Sequence, residues 1–137
     1  MYQKIIIIGN LGGDPEMRYL PSGTAVTNFS VATSRRWNDP QTGQPVDETT
    51  WFRVSVWGKQ AEVANQYLAK GRKVLVEGTL TPDGQTGGPR TFAKRDGTVG
   101  ASFEIRAENV KFLSGREDVA EAVADSGAAV EDDDIPF

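Results

Sequence analysis

The chain has 137 residues, 38% of them hydrophobic and 25% charged, with a net charge of −4; this is enough for one folded domain with a modest extension, and too little for two cores. It contains no cysteine and no histidine, which excludes disulfide scaffolds, thiolate metal sites and thiol nucleophiles and removes the commonest metal ligand and general base near neutral pH. The negative total hides an asymmetry: residues 114–137 carry eight acidic residues and one arginine, leaving 11 acidic and 14 basic residues in 1–113, so a mildly basic body is joined to an acidic tail of the kind that engages partners.

The opening Met1-Tyr2-Gln3-Lys4 runs directly into Ile5 to Ile8. That apolar run is too short for a signal segment or a membrane span, so a cytoplasmic protein with no membrane association is expected. Lys4 to Ile8 reads as a strand apolar on both faces, ended by the turn residues Gly9 to Pro15. Met17 to Leu20 reads as a short extension before the turn Pro21-Ser22-Gly23. Ala25 to Ser34 is a second strand with Thr27, Phe29 and Val31 on one side, and Asn38 to Asp47 is expected to be a flexible hairpin connection. Thr49 to Trp57 is a third strand. A helix follows from about Gln60 to Lys70, with Val63, Tyr67 and Leu68 at core-facing spacing and Gly71 at the C′ position. Lys73 to Leu80 is a further strand and Thr81 to Pro89 a loop. Arg90 to Arg95 and Ser102 to Phe112 form the arms of a hairpin with Asp96-Gly97 near its turn.

Three strands, a helix, then two strands or a strand and a hairpin is the layout of the OB-fold, an all-β, five-stranded Greek-key barrel with one helix between strands 3 and 4. The expected domain spans 1–113. Beyond it, 114–130 reads as a flexible linker and 131–137 as an acidic interaction tip.

Along Trp51-Phe52-Arg53-Val54-Ser55-Val56-Trp57, alternation puts Phe52, Val54 and Val56 inside the barrel and Trp51, Arg53, Ser55 and Trp57 on its outer face. Two outward indoles need a cover. Single-stranded nucleic acid supplies one, since its bases stack on aromatic faces while basic residues track its phosphates; a subunit interface is the alternative. Arg35-Arg36-Trp37 and Arg90-Thr91-Phe92-Ala93-Lys94-Arg95 repeat the combination, against the plainer reading of solvated loops with their aromatic ring folded inward. Lys59, Lys70, Arg72 and Lys73 add charge around the helix ends, where Lys70 and Arg72 equally favour the helix itself. No phosphate-binding glycine motif is present: Gly58-Lys59 is followed by Gln60. With no histidine, cysteine or phosphate loop, a non-enzyme without cofactor or metal is expected. The terminal Glu131-Asp132-Asp133-Asp134-Ile135-Pro136-Phe137 places four acids before an apolar tip ending in a carboxylate, which suits a hydrophobic pocket rimmed by cations.

These residues resemble the bacterial single-stranded DNA-binding protein family, through Ile8-Gly9-Asn10-Leu11-Gly12 with Asp14-Pro15-Glu16, Ala32-Thr33-Ser34 ahead of Trp37, Trp51 with Arg53, Gly58-Lys59 with Ala61-Glu62-Val63-Ala64, Tyr67-Leu68 with Lys70-Gly71, Val76-Glu77-Gly78 and the tip. The resemblance implies sequence-independent binding and protection of single-stranded DNA in replication, recombination and repair, within a nucleoid-associated homotetramer that pairs subunits along Ile5 to Ile8. It implies stacking on Trp37, Trp51, Trp57 and Phe92, and phosphate contacts from Lys4, Lys59, Lys70 and Arg90; the residue pattern itself adds Arg35, Arg36, Arg53 and Lys94. It also implies partner recruitment through Asp132, Asp133, Asp134, Ile135, Pro136 and Phe137. The segment Thr81 to Pro89 is longer than the family's usual connection. Two other readings remain open: a primosomal or mobile-element relative of the same fold, against which the complete tip weighs, and an RNA-binding OB domain.

Overall fold

The computed structural model describes residues 1–113; the expected linker 114–130 and tip 131–137 lie outside them. Seven strands and one helix follow in the order β1 (Ile5–Leu11), β2 (Glu16–Tyr19), β3 (Ala25–Asn38), β4 (Pro45–Trp57), α1 (Lys59–Tyr67), β5 (Lys73–Leu80), β6 (Arg90–Ala93) and β7 (Val99–Phe112). Five strands close into the expected OB barrel in the order β1-β5-β7-β4-β3, with β3 returning to β1 through Asn10↔Ala32 and Leu11↔Val31. The β4–β7 pairing is parallel, from Phe52↔Phe103 to Ser55↔Arg106, and the other barrel pairings are antiparallel. β2 and β6 are short additions along β3 and β7.

The interior is lined by β-branched and aromatic side chains at alternate strand positions: Phe29 and Val31 on β3, Val54 and Val56 on β4, Val74 and Val76 on β5, and Ile105 on β7. Burying each removes about 1.5–3 kcal/mol worth of apolar surface from water. Closure requires backbones to approach where no side chain fits. A Cβ on Gly9 would overlap the Ala32 carbonyl, and one on Gly78 would overlap the Arg106 carbonyl, beside a bulge between Glu77 and Gly78.

The helix differs from its expected form. It ends at Tyr67, because Leu68 is already extended (φ −90°, ψ 148°); Gly71, at φ 87°, therefore turns the chain into β5 instead of capping the helix. Its buried face is Ala61, Ala64 and then Leu68, while Val63 is exposed and Tyr67 is half-buried against Phe112, ring centroids 5.8 Å apart. The small face permits close approach, and the buried Thr27 hydroxyl donates to the Ala61 carbonyl at 2.6 Å.

The β3–β4 hairpin is also longer than expected. Both strands continue to Asn38↔Pro45, leaving a short turn over 39–44. Asp39 organises that turn: its carboxylate accepts from the Gln41 amide, its backbone N–H donates to Gln44 and its carbonyl accepts from Gly43. On the far hairpin β7 starts at Val99, three residues earlier than expected. There Asp96 accepts from both the amide and the hydroxyl of Thr98, and these donors hold its carboxyl below the usual 3.8. The 81–89 loop is closed in the same way on Asp83, whose carboxylate accepts from the Gln85 and Thr86 amides and is held low by them.

Gly9→Ala should open the β1–β3 seam and destabilise the barrel by roughly 1–3 kcal/mol or more, as overpacking does; urea unfolding followed by circular dichroism would read this as a lower midpoint.

Candidate nucleic-acid interface

Strand parity on β4 builds the site. Val54 and Val56 point inward and are fully buried, whereas Trp51 is 53% exposed and Trp57 39%. The two indoles sit on one face, six residues and therefore on the order of 20 Å apart. Arg53 and Ser55 stand between them, and Ser55 Oγ donates to Asn28 Oδ1 of β3 at 2.7 Å. The parallel register with β7 sets Glu104 beside Arg53 and Arg106 beside Ser55.

Trp51 rests on the segment after β1. A Cβ on Gly12 would lie 2.5 Å from the Trp51 Cζ3, so the absent side chain is what lets the ring lie down. This segment is pinned from two sides. The Gly12 amide donates to the Ser30 carbonyl of β3 at 3.1 Å, the Leu11 amide to the Arg72 carbonyl at 2.9 Å, and the Gly71 amide to the Leu11 carbonyl at 2.9 Å. Asn10 Nδ2 donates to the Gly71 carbonyl at 3.0 Å, and the Lys70 amide donates to Asp14 Oδ1 at 2.9 Å.

Phe92 on β6 repeats the arrangement. It pairs in register with Gly100, is 51% exposed, and a Cβ on Gly100 would lie 2.7 Å from its Cζ and 2.9 Å from Lys94 Cε. Between the two rings runs a groove of about 550 Å³ walled by Trp51, Arg53, Arg90, Phe92, Ser102 and Glu104. A second hollow of about 350 Å³ opens on the other side of Trp51, toward Gly13, Asp14 and Asn28. Arg90 Nε stands 3.1 Å from Glu104 Oε2.

Two further aromatic residues carry a guanidinium on the ring. Arg106 lies 5.2 Å from the Trp57 centroid, and Arg35 lies 4.6 Å from that of Trp37, out on the β3–β4 arm; such contacts are worth about 0.5–2 kcal/mol each. On the same arm Arg36 pairs with Asp47 at 3.1 Å, both side chains well exposed.

The groove thus unites Trp51, Arg53, Arg90 and Phe92, with Lys94 beside Phe92 and Trp57 farther along β4. Arg35, Arg36 and Trp37 occupy the arm. Lys4, Lys59 and Lys70 are not on its walls. Lys4 lies between Glu77 (3.9 Å) and Glu108 (3.6 Å), Lys59 flanks a cleft with Gln60, Val63 and Val110, and Lys70 follows the helix. Sequence reasoning missed Gly12, Gly100, Glu104 and Arg106. Gly12, Glu104 and Arg106 matter through pairings between distant segments and Gly100 through its own hairpin; only Gly12, followed by Asp14-Pro15-Glu16, lay within a stretch that the sequence singled out. Among the described residues no group of three or more acidic side chains is placed to hold a metal, and no helix is long and apolar enough to cross a membrane.

The sequence model of the single-strand binding protein family matches residues 2–113. The chain belongs to that family. It is 44% identical over 115 residues to the single-stranded DNA-binding proteins of Neisseria meningitidis serogroup A and of serogroup B, covering 84% of this chain and 62% of each relative; the chain spans about three-fifths of the length of those curated relatives. Its fold is similar to a deletion mutant of the single-stranded DNA-binding protein of Thermus aquaticus, with a TM-score of 0.62 and 31% identity over 82% of this chain and 51% of that one. It is likewise similar to Plasmodium falciparum SSB in complex with single-stranded DNA, with a TM-score of 0.65 and 27% identity over 83% of this chain and 96% of the other.

Gly12→Ala should tilt Trp51 off its seat with little loss of stability, since the barrel core is untouched. The expected signature is a shifted tryptophan emission maximum and weaker quenching by oligo-dT, with the urea midpoint nearly unchanged.

Proposed function

We propose that this chain binds single-stranded DNA without reading its sequence, by stacking bases on Trp51, Phe92, Trp57 and Trp37 and neutralising phosphates with Arg53, Arg90, Lys94, Arg35 and Arg36. The observation that carries this reading is the pair of rings, Trp51 and Phe92, laid on glycines at either side of a groove that holds two arginines. A core ring is enclosed on both faces; these rings are backed by protein on one side and half exposed, as a stacking platform requires. Membership of the family and the DNA-bound Plasmodium relative support the same reading. Lys4, Lys59 and Lys70 would serve a strand that continues around the barrel.

On this reading the protein is not an enzyme, holds no cofactor, works in the cytoplasm on the nucleoid, and protects single strands during replication, recombination and repair. Assembly as a homotetramer is supported by the outer face of β1, where Ile6 and Ile8 are 57% and 42% exposed in a row; covering them favours association. Asp132, Asp133, Asp134, Ile135, Pro136 and Phe137 would recruit partner enzymes, with the acids steering the tip and Phe137 filling a pocket.

Trp51→Ala should weaken oligo-dT binding by roughly 1–3 kcal/mol and leave the thermal midpoint close to that of the parent chain. In a fluorescence titration, unchanged affinity with a large fall in stability would place this indole in the core and overturn the reading. Removing 132–137 should leave DNA affinity intact or slightly higher while abolishing co-purification of partner proteins; lost DNA binding would contradict this division of labour.

A further inference from the structure

Glu104 is a carboxylate set into a surface built for an anion. Its side chain is 17% exposed, against 56% for the Arg90 that it faces. Arg53 is its register partner on β4, so it stands between the two arginines of the groove. Its Oε2 is buried and accepts no hydrogen bond: Arg90 Nε comes within 3.1 Å, but its N–H is not aligned on the oxygen. Buried acceptors are normally satisfied, and an aligned, bidentate guanidinium is the strong way to do so. Here Arg90 supplies charge without that geometry.

The consequence is a hold that a phosphate can break. A phosphate oxygen in the groove offers Arg90 a better-aligned, charge-assisted acceptor than Oε2 does. The backbone of Arg90 need not move for the exchange, because its carbonyl is held across the ladder by Ser102 Oγ at 3.5 Å and β6 stays paired with β7. The Arg36–Asp47 pair does not compare, since both of its side chains are about 70% exposed and solvent screens it.

Resting on the reading of this groove as a single-stranded DNA site, we propose that Glu104 is a built-in counter-ion for Arg90. It keeps the guanidinium in the groove when no strand is present and competes with the phosphate for it when one arrives. Arg90 therefore contributes less than one full cation to DNA binding. Glu104 acts through Arg90 and is a positioning residue.

The test is a salt series of anisotropy titrations with labelled oligo-dT on the full chain, comparing the parent with Glu104→Gln, Arg90→Gln and the double variant. Glu104→Gln should bind roughly 2- to 5-fold tighter at low salt, the range of a released partly exposed ion pair. Its log–log salt slope should steepen by up to about 0.7, the increment for one more neutralised phosphate on a single strand. Both effects should vanish in the Arg90→Gln background, which a merely structural role for Glu104 would not produce. Affinity and slope unchanged in Glu104→Gln would overturn the proposal. So would weaker binding that falls more on oligo-dC than on oligo-dT, which would make Glu104 an acceptor for base amino groups. Should Glu104→Gln not fold, Glu104→Asp draws the carboxylate back by one methylene and should move affinity and slope in the same direction by less; no movement overturns the proposal equally. A parent chain that fails to bind oligo-dT at all would instead overturn the reading of the groove.

Discussion

The closure of the barrel at two glycine crossings is the constraint on which the rest of the molecule hangs. β1 must leave β5 and cross to β3 within its own length, which brings Gly9 against the Ala32 carbonyl. On the opposite side β5 bulges at Glu77/Gly78 so that Gly78 can meet the Arg106 carbonyl. Closure removes the open edges that a five-stranded sheet would otherwise present. It also fixes β4 between β3 and β7, so that one strand face carries Trp51, Arg53 and Trp57 into contact with residues from three other segments. The candidate interface is thus a by-product of how the barrel closes, and a shift in that seam would be felt along its whole length.

What could be read in the sequence follows the range of the interactions involved. The two-residue alternation of β4 is local, so the inward Val54 and Val56 and the outward Trp51 and Trp57 were legible from spacing alone, as was the OB topology from the order of its elements. The helix face departs from its large-residue pattern: the core position suggested by Val63 belongs to Ala61 and Ala64, whose smallness lets the Thr27 hydroxyl reach the Ala61 carbonyl. The β3–β4 arm reads as a loose connection because Asn-Asp-Pro and Thr-Gly are turn sequences. The backbone ladder instead runs to Asn38↔Pro45, where the Asp39-capped turn closes it. Glu104 and the seating role of Gly12 depend on which residue of a distant segment lies opposite, whereas Gly100 faces Phe92 across the local Asp96-Gly97 hairpin and was missed because β7 starts three residues earlier than its pattern suggests.

The electrostatic character of the face also departs from what a count of charges suggests. Of its basic side chains, Arg36 and Arg90 already face carboxylates, while Arg35 and Arg106 lie over indoles and keep their charge. The mildly basic body therefore presents less free positive charge than its 14 basic residues imply. Aromatic surface, which salt does not screen, carries a correspondingly larger share of any interaction with a strand.

The Gly12 segment is fastened to its neighbour through that neighbour's main chain. Of the groups that the turn 70–72 contributes to holding it, all are main-chain: the amides of Lys70 and Gly71 and the carbonyls of Gly71 and Arg72. The side chains that complete the clasp, Asn10 and Asp14, belong to the segment itself. The aromatic platform is consequently insulated from most drift in the turn beneath it. Position 70 can exchange charge, length and shape while Trp51 keeps its seat, and the Arg72 side chain is committed elsewhere, donating from Nη1 to the Tyr67 carbonyl at 2.9 Å; proline at either of the two donating positions in the turn, or loss of the amide at Asn10, would unfasten the segment.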